Sequence, residues 1–397
     1  MLLSGINNEN NPSGYNSGET LSLDFPTKEG YMFAGWYTDS ACTNEIEIIN
    51  GIEGDLTLYA KWVPYDDILI FYDGIDNSSV EISPDYAVKT VIIPSLHNDL
   101  PVTKIMATFR GEYECIETVI IPDSVAFINP VAFVSSSLDE DVNISLECIS
   151  VDSNNPNFKS VDGVLYSKDG KTLIQYPPQK DDALFTIPDG VTLINDFAFA
   201  RNKNLKSIAI PNTVTSIGVR AFIYSEALQN IVIPDSVTQI GHSAFSKCAS
   251  LESVILSNHM DTIEHNMFEY CIKLKNIVIP DSVETIKSWA FDNCLDLEVV
   301  ELPNNVTIID IGVFNNCSSL ESINIPNNVT SIRNMAFSNC TALSYLVIPD
   351  SVITMQKLIF RNCASLTIYC ESKIQPEGWK DNWDLGVKSV IWGYKGE

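Results

Sequence analysis

Through the second half of the chain the apolar residues keep a fixed rhythm. Leu251, Leu274, Leu297, Leu320 and Leu343 stand 23 residues apart, and the same step separates Val254, Ile277, Val300, Ile323 and Leu346. It also separates Phe245, Phe268, Phe291, Phe314, Phe337 and Phe360. Prolines mark the beat at Pro188, Pro211, Pro234, Pro280, Pro303, Pro326 and Pro349, with Ser257 in the one vacant slot, so successive coils hold phase without a gap. A strict period of this size predicts a solenoid, in which each repeat is one supersecondary unit stacked on its neighbours. A coiled coil, which needs a seven-residue period, is excluded.

Within a coil such as "LKNIVIPDSVETIKSWAFDNC", apolar residues alternate through Leu274, Ile277 and Ile279 and stop at Pro280. This is the pattern of a short strand ended by proline, which has no N–H for a ladder. Val283, Ile286, Ala290 and Phe291 then bring the inward side chains to about seven per coil, on a convex segment expected to be short helical or irregular. Burying seven such side chains contributes roughly 1.5–3 kcal/mol each, whereas ordering the coil costs about 1–2 kcal/mol per residue. One coil alone should not fold, and stacking with an inter-coil parallel β ladder must supply the rest.

Two polar columns share the period. The residue after each proline slot runs Asp189, Asn212, Asp235, Asn258, Asp281, Asn304, Asn327, Asp350, and no two aspartates are adjacent. Strands lie about 4.8 Å apart, so stacked carboxylates would repel, while Asp and Asn can each cap a turn through the side-chain oxygen. The second column is Cys248, Cys271, Cys294, Cys317, Cys340 and Cys363, preceded in the same slot by Ser225 and Asn202. No C-x-x-C pair occurs, and parallel ladder positions suit neither disulfide geometry nor a zinc framework. Replacement by Ser and Asn favours a structural ladder of small, buried, hydrogen-bonding side chains. Cys42, Cys115, Cys148 and Cys370 lie off the column, and their redox state stays open.

On each strand the residues between core positions must face outward. One row is Ser207, Asn230, Ser253, Asn276, Val299, Ser322, Tyr345; the next is Ala209, Val232, Ile255, Val278, Glu301, Asn324, Val347. The contiguous Val232, Ile255 and Val278 are unusual for a solvated face, since exposed apolar patches mark interaction sites. The competing reading is a covering second layer. The candidate ligand face is Asn230, Val232, Ser253, Ile255, Asn276, Val278, Val299, Glu301, Ser322, Asn324, Tyr345 and Val347.

Charge and composition narrow the partners. The chain has 397 residues, 45% hydrophobic and 19% charged, enough for a large core; its net charge of −27 repels nucleic-acid backbones and anionic lipid surfaces. No run approaches the roughly 18–20 apolar residues of a membrane span, and "MLLSGINNEN" lacks the basic-then-apolar layout of a signal peptide. Chemistry is sparse. His97, His242, His259 and His265 have no zinc or triad spacing, no phosphate loop, dinucleotide fingerprint or nucleophile elbow occurs, and "SVDGVLYSKDGK" lacks a calcium-loop pattern. Neither catalysis nor a cofactor or metal is expected.

The unit L-x-x-I-x-I-P-x-x-V-T-x-I-x-x-x-A-F-x-x-C resembles the BspA-like leucine-rich repeats, a proline-containing class common on bacterial surface proteins. The resemblance extends to "PVTKIMATF" at 101–109 and "IPDSVAFINPVAF" at 121–133. Asp169-Gly170 between "VLYS" and "KTLIQY" signals an inserted hairpin near 160–177, a feature this family also carries. Residues 1–63, with Gly30, Tyr31, Phe33, Gly35, Trp36, Tyr37, Leu58, Tyr59, Ala60 and Trp62, resemble the internalin B-type (Listeria/Bacteroides) repeat, a small β-grasp-like module. Only "MLLSG" is available for the module's opening strand, which implies a chain that begins inside a longer protein.

The expected fold is mainly β: a leucine-rich-repeat solenoid of about eleven coils, some 50 Å long at strand spacing, preceded by the β-grasp-like module. The expected divisions are 1–63 for the module, 64–90 for a linker and capping hairpin, 91–366 for the solenoid and 367–397 for a Trp-rich cap. In that cap, large aromatics cover the last coil. The resemblance implies a monomeric, extracellular or wall-associated protein that binds a host or neighbouring-cell surface protein through the sheet face. A passive spacer, and a glycan-binding module built on Trp379, Trp383 and Trp392, are the alternatives. The alternating Asp/Asn column yields a direct expectation: Asn304→Asp lowers the melting temperature, more at low salt than at high, and melting curves at two ionic strengths measure it.

Overall fold

A computed structural model of the chain describes residue 11 and residues 20–46, 48–50, 55–74, 77–82, 88–106, 116–134 and 145–396. The expected opening strand "MLLSG" and Cys115 lie outside the described residues. The chain forms two compact units, Met1–Gly163 and Val164–Glu397. It is mainly β, with about 13 turns of solenoid against the eleven expected, and among the described residues its helix is a single 3-10 turn at Tyr65–Asp67.

In the second unit each coil contributes a short parallel strand, and seven of these, from Leu184–Thr186 to Ser322–Ile323, form one sheet. Equivalents pair in register: Asn230 with Ser253, Ser253 with Asn276, Asn276 with Val299 and Val299 with Ser322. The strand core position is buried and its two flanks are exposed in Asn230–Val232, Ser253–Ile255, Asn276–Val278 and Val299–Glu301. Proline then ends the strand and opens a turn, in which the valine three residues on donates its N–H to the proline carbonyl, as Val237 does to Pro234 at 2.9 Å and Val283 to Pro280 at 3.0 Å. At the vacant slot Ser257 is buried and its Oγ accepts the His259 N–H at 3.2 Å.

Two further ladders were not expected from the sequence. A second set of parallel two-residue strands, such as Thr262–Ile263, Thr285–Ile286 and Ile308–Ile309, stacks after the proline turn. The convex segment is not helical. Two of its residues per coil are left-handed, one series running Phe197, Arg220, Ser243, Asn266, Trp289, Gly312, Met335, Leu358 and the other Arg201, Tyr224, Lys247, Tyr270, Asn293, Asn316, Asn339, Asn362. These left-handed residues break the helical path, so that every second N–H reaches the next coil while the ones between close tight turns, as Ile223 does to Arg220 at 3.1 Å. Arg220, Phe222 and Tyr224 donate to His242, Ala244 and Ser246 at 3.0, 2.8 and 3.0 Å, and the pattern repeats down the array.

Along the second left-handed series, Arg201 and Lys247 lie over the Tyr224 ring at 4.6 and 4.4 Å, and Lys247 Nζ also bonds the Tyr224 hydroxyl. Further along, Asn339 donates to Asn316 at 2.7 Å and Asn362 to Asn339 at 2.6 Å. Asparagine is one of the few side chains that tolerates this backbone region.

The core is a stack of rings. Phe199, Phe222, Phe245, Phe268, Phe291, Phe314, Phe337 and Phe360 lie nearly parallel, consecutive centroids 4.9 to 5.6 Å apart. Tyr176 extends the stack at one end at 5.2 Å. At the other, Trp383 meets Phe360 edge-on at 6.2 Å. The C-terminal segment, expected as a Trp-rich cap, stacks on the array as a further coil. Ser389–Trp392 pairs in register with Thr367–Cys370, and Leu358 donates to the Asn382 carbonyl at 3.1 Å, so the cap is one more coil with Trp383 in the phenylalanine position. The hairpin signal at Asp169-Gly170 corresponds to antiparallel strands Val164–Ser167 and Thr172–Gln175. The second of them also pairs with Leu193–Ile194 and starts the second ladder.

The cysteine column is a hydrogen-bonded ladder. Cys248, Cys271, Cys294, Cys317, Cys340 and Cys363 are buried, and each Sγ lies 3.1 or 3.2 Å from the phenylalanine carbonyl of the preceding coil, as Cys294 does from Phe268 and Cys317 from Phe291. Ser225 makes the same bond to Phe199 at 2.8 Å, and Asn202 reaches the Pro177 and Pro178 carbonyls. The slot selects a small donor. Cys42 and Cys370 are free thiols as well.

In the first unit the module is antiparallel: Tyr31–Tyr37 pairs with Tyr59–Pro64 and Glu45–Ile46, with an irregularity between Phe33 and Trp36 where Gly35 takes φ +125. Phe33 is its aromatic hub, with ring centroids 5.4, 5.2 and 5.8 Å from those of Phe25, Trp36 and Trp62. A hairpin, Leu69–Asp73 with Ser78–Ile82, follows. Asp73 accepts from Ser78, His97 and Asn98, and these bonds, Ser78 first, hold its carboxyl at about 2. Thr90–Ile92, Thr118–Ile121 and Cys148–Val151 then stack in parallel.

Two expectations follow. A Cβ built on Gly312 would sit 2.2 Å from the Trp289 ring, at φ +61. Gly312→Ala should therefore destabilise the protein by about 1–3 kcal/mol, and adding Trp289→Ala should recover part of that loss, both read by denaturant unfolding. Burial pushes the Cys363 thiol up to about 11 and Cys370 to about 12, and the remaining column thiols well up. The thiolate is the nucleophile, so iodoacetamide at neutral pH should leave the column unlabelled in native protein and label it after unfolding, as read by peptide mass spectrometry.

Candidate functional site

The seven-stranded sheet of the second unit fixes the geometry of the outward rows. Because the ladder is parallel and in register, each row is a straight file of equivalent side chains. Asn230, Val232, Ser253, Ile255, Asn276, Val278, Val299, Glu301, Asn324 and Tyr345 are exposed, while Ser322 and Val347 are half-buried. Val347 belongs to a longer strand, Tyr345–Ile348, that pairs with Thr367–Cys370 in the terminal sheet.

The apolar stripe lies open. Val232, Ile255 and Val278 are 54%, 61% and 81% exposed, with no covering layer among the described residues. Glu301, paired with Val278 across the ladder, interrupts the stripe. Beyond it Asn324 turns back on the backbone, accepting the Leu302 N–H at 2.8 Å and donating to the Leu302 carbonyl at 3.2 Å, which stands in for the ladder where the strand has ended. Sequence reasoning had no signal for that role. Beside the stripe, Ser253 Oγ donates to Asn230 Oδ1 at 2.6 Å. A shallow hollow of about 880 Å³ runs past Asn276, Val278, Asp281, Val299, Glu301 and Asn324.

Carboxylates rim this face. Asp235 accepts the backbone N–H of Asn258 at 2.9 Å and its side-chain amide at 3.3 Å. The backbone bond comes first in holding its carboxyl below the usual range, although its burial acts the other way. These bonds run between neighbouring coils, so the Asp/Asn column joins turns as well as shaping them. His259 Nδ1 lies 2.8 Å from the Asp235 carbonyl.

Among the described residues no group of three or more His, Cys, Asp or Glu is placed to hold a metal, and His242, His259 and His265 are exposed. No described helix is long and apolar enough to cross a membrane. The aromatic platform considered for a glycan is not presented. Trp379 and Trp383 are buried, Trp379 Nε1 is committed to the Val352 carbonyl at 3.0 Å, and the two rings pack edge-on at 4.7 Å.

Residues 183–298 and 240–367 match the BspA type leucine rich repeat region in six copies, and residues 5–61 match the Listeria-Bacteroides repeat domain. Comparison with curated proteins gave no match. Among solved structures the chain is similar to a leucine-rich repeat protein of Eubacterium ventriosum, at 27% identity and TM-score 0.49, covering 70% of this chain and 65% of that one. It is similar also to a leucine rich cell surface protein of Faecalibacterium prausnitzii, at 24% identity and TM-score 0.45, covering 83% and 97%. A third is the Treponema pallidum leucine rich repeat protein, at 28% identity and TM-score 0.41, covering 48% and 89%.

Proposed function

For a chain of BspA-type leucine-rich repeats behind a Listeria-Bacteroides repeat, we propose an interaction scaffold that acts at the bacterial surface. Its sheet face adheres to a protein of a host or neighbouring cell. The observation that carries this reading is the open stripe Val232, Ile255, Val278, three adjacent aliphatic side chains left to water on an otherwise well-packed array. Such a patch, ringed by polar side chains, has the make-up of a recognition surface. The carboxylates at its margin and the net charge of −27 suit a partner with an apolar ridge flanked by basic groups. The array is rigid and repetitive, so the partner meets a preorganised surface and little ordering opposes binding. The divisions 1–63, 64–90, 91–366 and 367–397 are part of the same reading, with the module and the array as separate modules of an exported protein.

The test is a pair of substitutions on the stripe. Val232→Asp and Ile255→Asp together should reduce adhesion to cells or extracellular matrix by about tenfold or more, with the thermal melt unchanged. Adhesion that persists in this variant would make the array a passive spacer.

A further inference from the structure

Granted the adhesive reading above, on which this step rests, the spacing of the open stripe narrows the partner. Val232 pairs with Ile255 and Val278 with Glu301 across the parallel ladder, so the stripe takes one side chain from each coil, at about 4.8 Å per step. From Val232 to Val278 is therefore about 9.6 Å. Residues i, i+4 and i+7 of an α-helix share one face and span about 10.5 Å. Three same-face residues of an extended strand, i, i+2 and i+4, span about 13 Å and fall out of step with the coils. A helix laid along the array, across the strands, keeps one contact per coil.

The stripe is a single side chain wide, which argues against a broader occupant. One flank is Asn230, Ser253 and Asn276, the other the turn column Asp235, Asn258 and Asp281, all exposed. A second sheet stacked on this face would take both polar flanks out of water, a cost that a narrow ridge avoids. A second copy of the chain would bring its own net charge of −27 against these carboxylates. Where the stripe ends, Glu301 and Asp281 line the same hollow as Val278. Both are exposed, and among the described residues neither carboxylate has a hydrogen bond or ion pair. Glu301 stands about 14 Å from Val232, and the fourth helical turn, at i+11, about 16.5 Å from i; a long basic side chain spans the difference. We propose that the stripe seats an amphipathic α-helix of the partner protein along the array, with aliphatic residues from three successive turns on Val232, Ile255 and Val278 and a basic residue from the next turn between Glu301 and Asp281.

The probes are capped helical peptides of about four turns, with leucines on one face at three successive turns and an arginine at the next, in either chain direction. The comparison peptide has the same composition, its leucines alternating as in a strand. Titrated into the full chain, a helical peptide should shift the methyl signals of Val232, Ile255 and Val278 and bind about tenfold more tightly than the strand-patterned one. Val232→Asp with Ile255→Asp should weaken that binding about tenfold or more, whereas a purely electrostatic attraction of a basic peptide would rise with the added charge. Glu301→Gln should weaken it about threefold, and Glu301→Lys should instead favour the peptide whose arginine is replaced by glutamate. No methyl shift at millimolar peptide, equal or tighter binding of the strand-patterned peptide, or indifference to the residue at 301 would each overturn the proposal. So would self-association of the full chain in sedimentation that the double aspartate variant abolishes. Adhesion is measured alongside: adhesion lost in that variant with no peptide binding refutes the helix alone, and peptide binding at the stripe with adhesion unchanged refutes the adhesive reading alone.

Discussion

Every feature of the array rests on the backbone hydrogen bonds between coils. A 23-residue coil buries too little apolar surface to order itself, and its strands of two or three residues are too short to stand alone. Three ladders per coil solve this: the outer strand, the two-residue strand after the proline turn, and the left-handed amides of the convex turn. All three hold the same register, and the phenylalanine column lies between them with ring planes within 12° of parallel from Phe199 to Phe360. Register, once fixed by the backbone, places every other side chain.

That dependence explains the choice of side chains in the columns. Position 294 in its coil must point a donor at the Phe268 carbonyl in a space that admits one small group, and Cys, Ser and Asn are the side chains found there. The columns facing solvent obey electrostatics instead: Asn258 bonds Asp235 rather than repelling it, and Lys287 and Arg333 pair with Glu264 and Asp310 of the preceding coils at 2.6 and 2.8 Å. A repeated coil multiplies any mismatch, because a like charge in one coil meets its own copy in the next.

Much of this was legible in the sequence, for a physical reason. Period, strand position, proline stop and inward phenylalanine all follow from apolar spacing, and a parallel stack converts spacing into contact without further information. The convex turn was not legible, since a left-handed residue announces itself only as glycine or asparagine. Asn293, Asn316, Asn339 and Asn362 were the available signal, while Trp289, Met335 and Leu358 adopt the same backbone with no such mark. The terminal coil was missed because Trp383 replaces phenylalanine and the spacing around it slips by one residue, as in the bridge of Met355 to Trp379. The outward rows were readable from alternation, but their exposure required knowing that no loop folds over them. Asn324 shows the limit: its side chain serves the backbone of the previous coil, a role set by where the strand stops.

Alternate amides of the convex turn point the same way along the second unit, offering N–H groups forward to the carbonyls of the next coil, as Arg220, Phe222 and Tyr224 do. Any internal coil therefore carries the same fittings as its neighbours at both surfaces. A recombination event that deletes or duplicates whole coils leaves every junction chemically unchanged, whereas one that breaks within a coil severs three ladders at once. Lineages carrying this array can drift in length by whole repeats, while the outward rows diversify coil by coil on a framework that is indifferent to them.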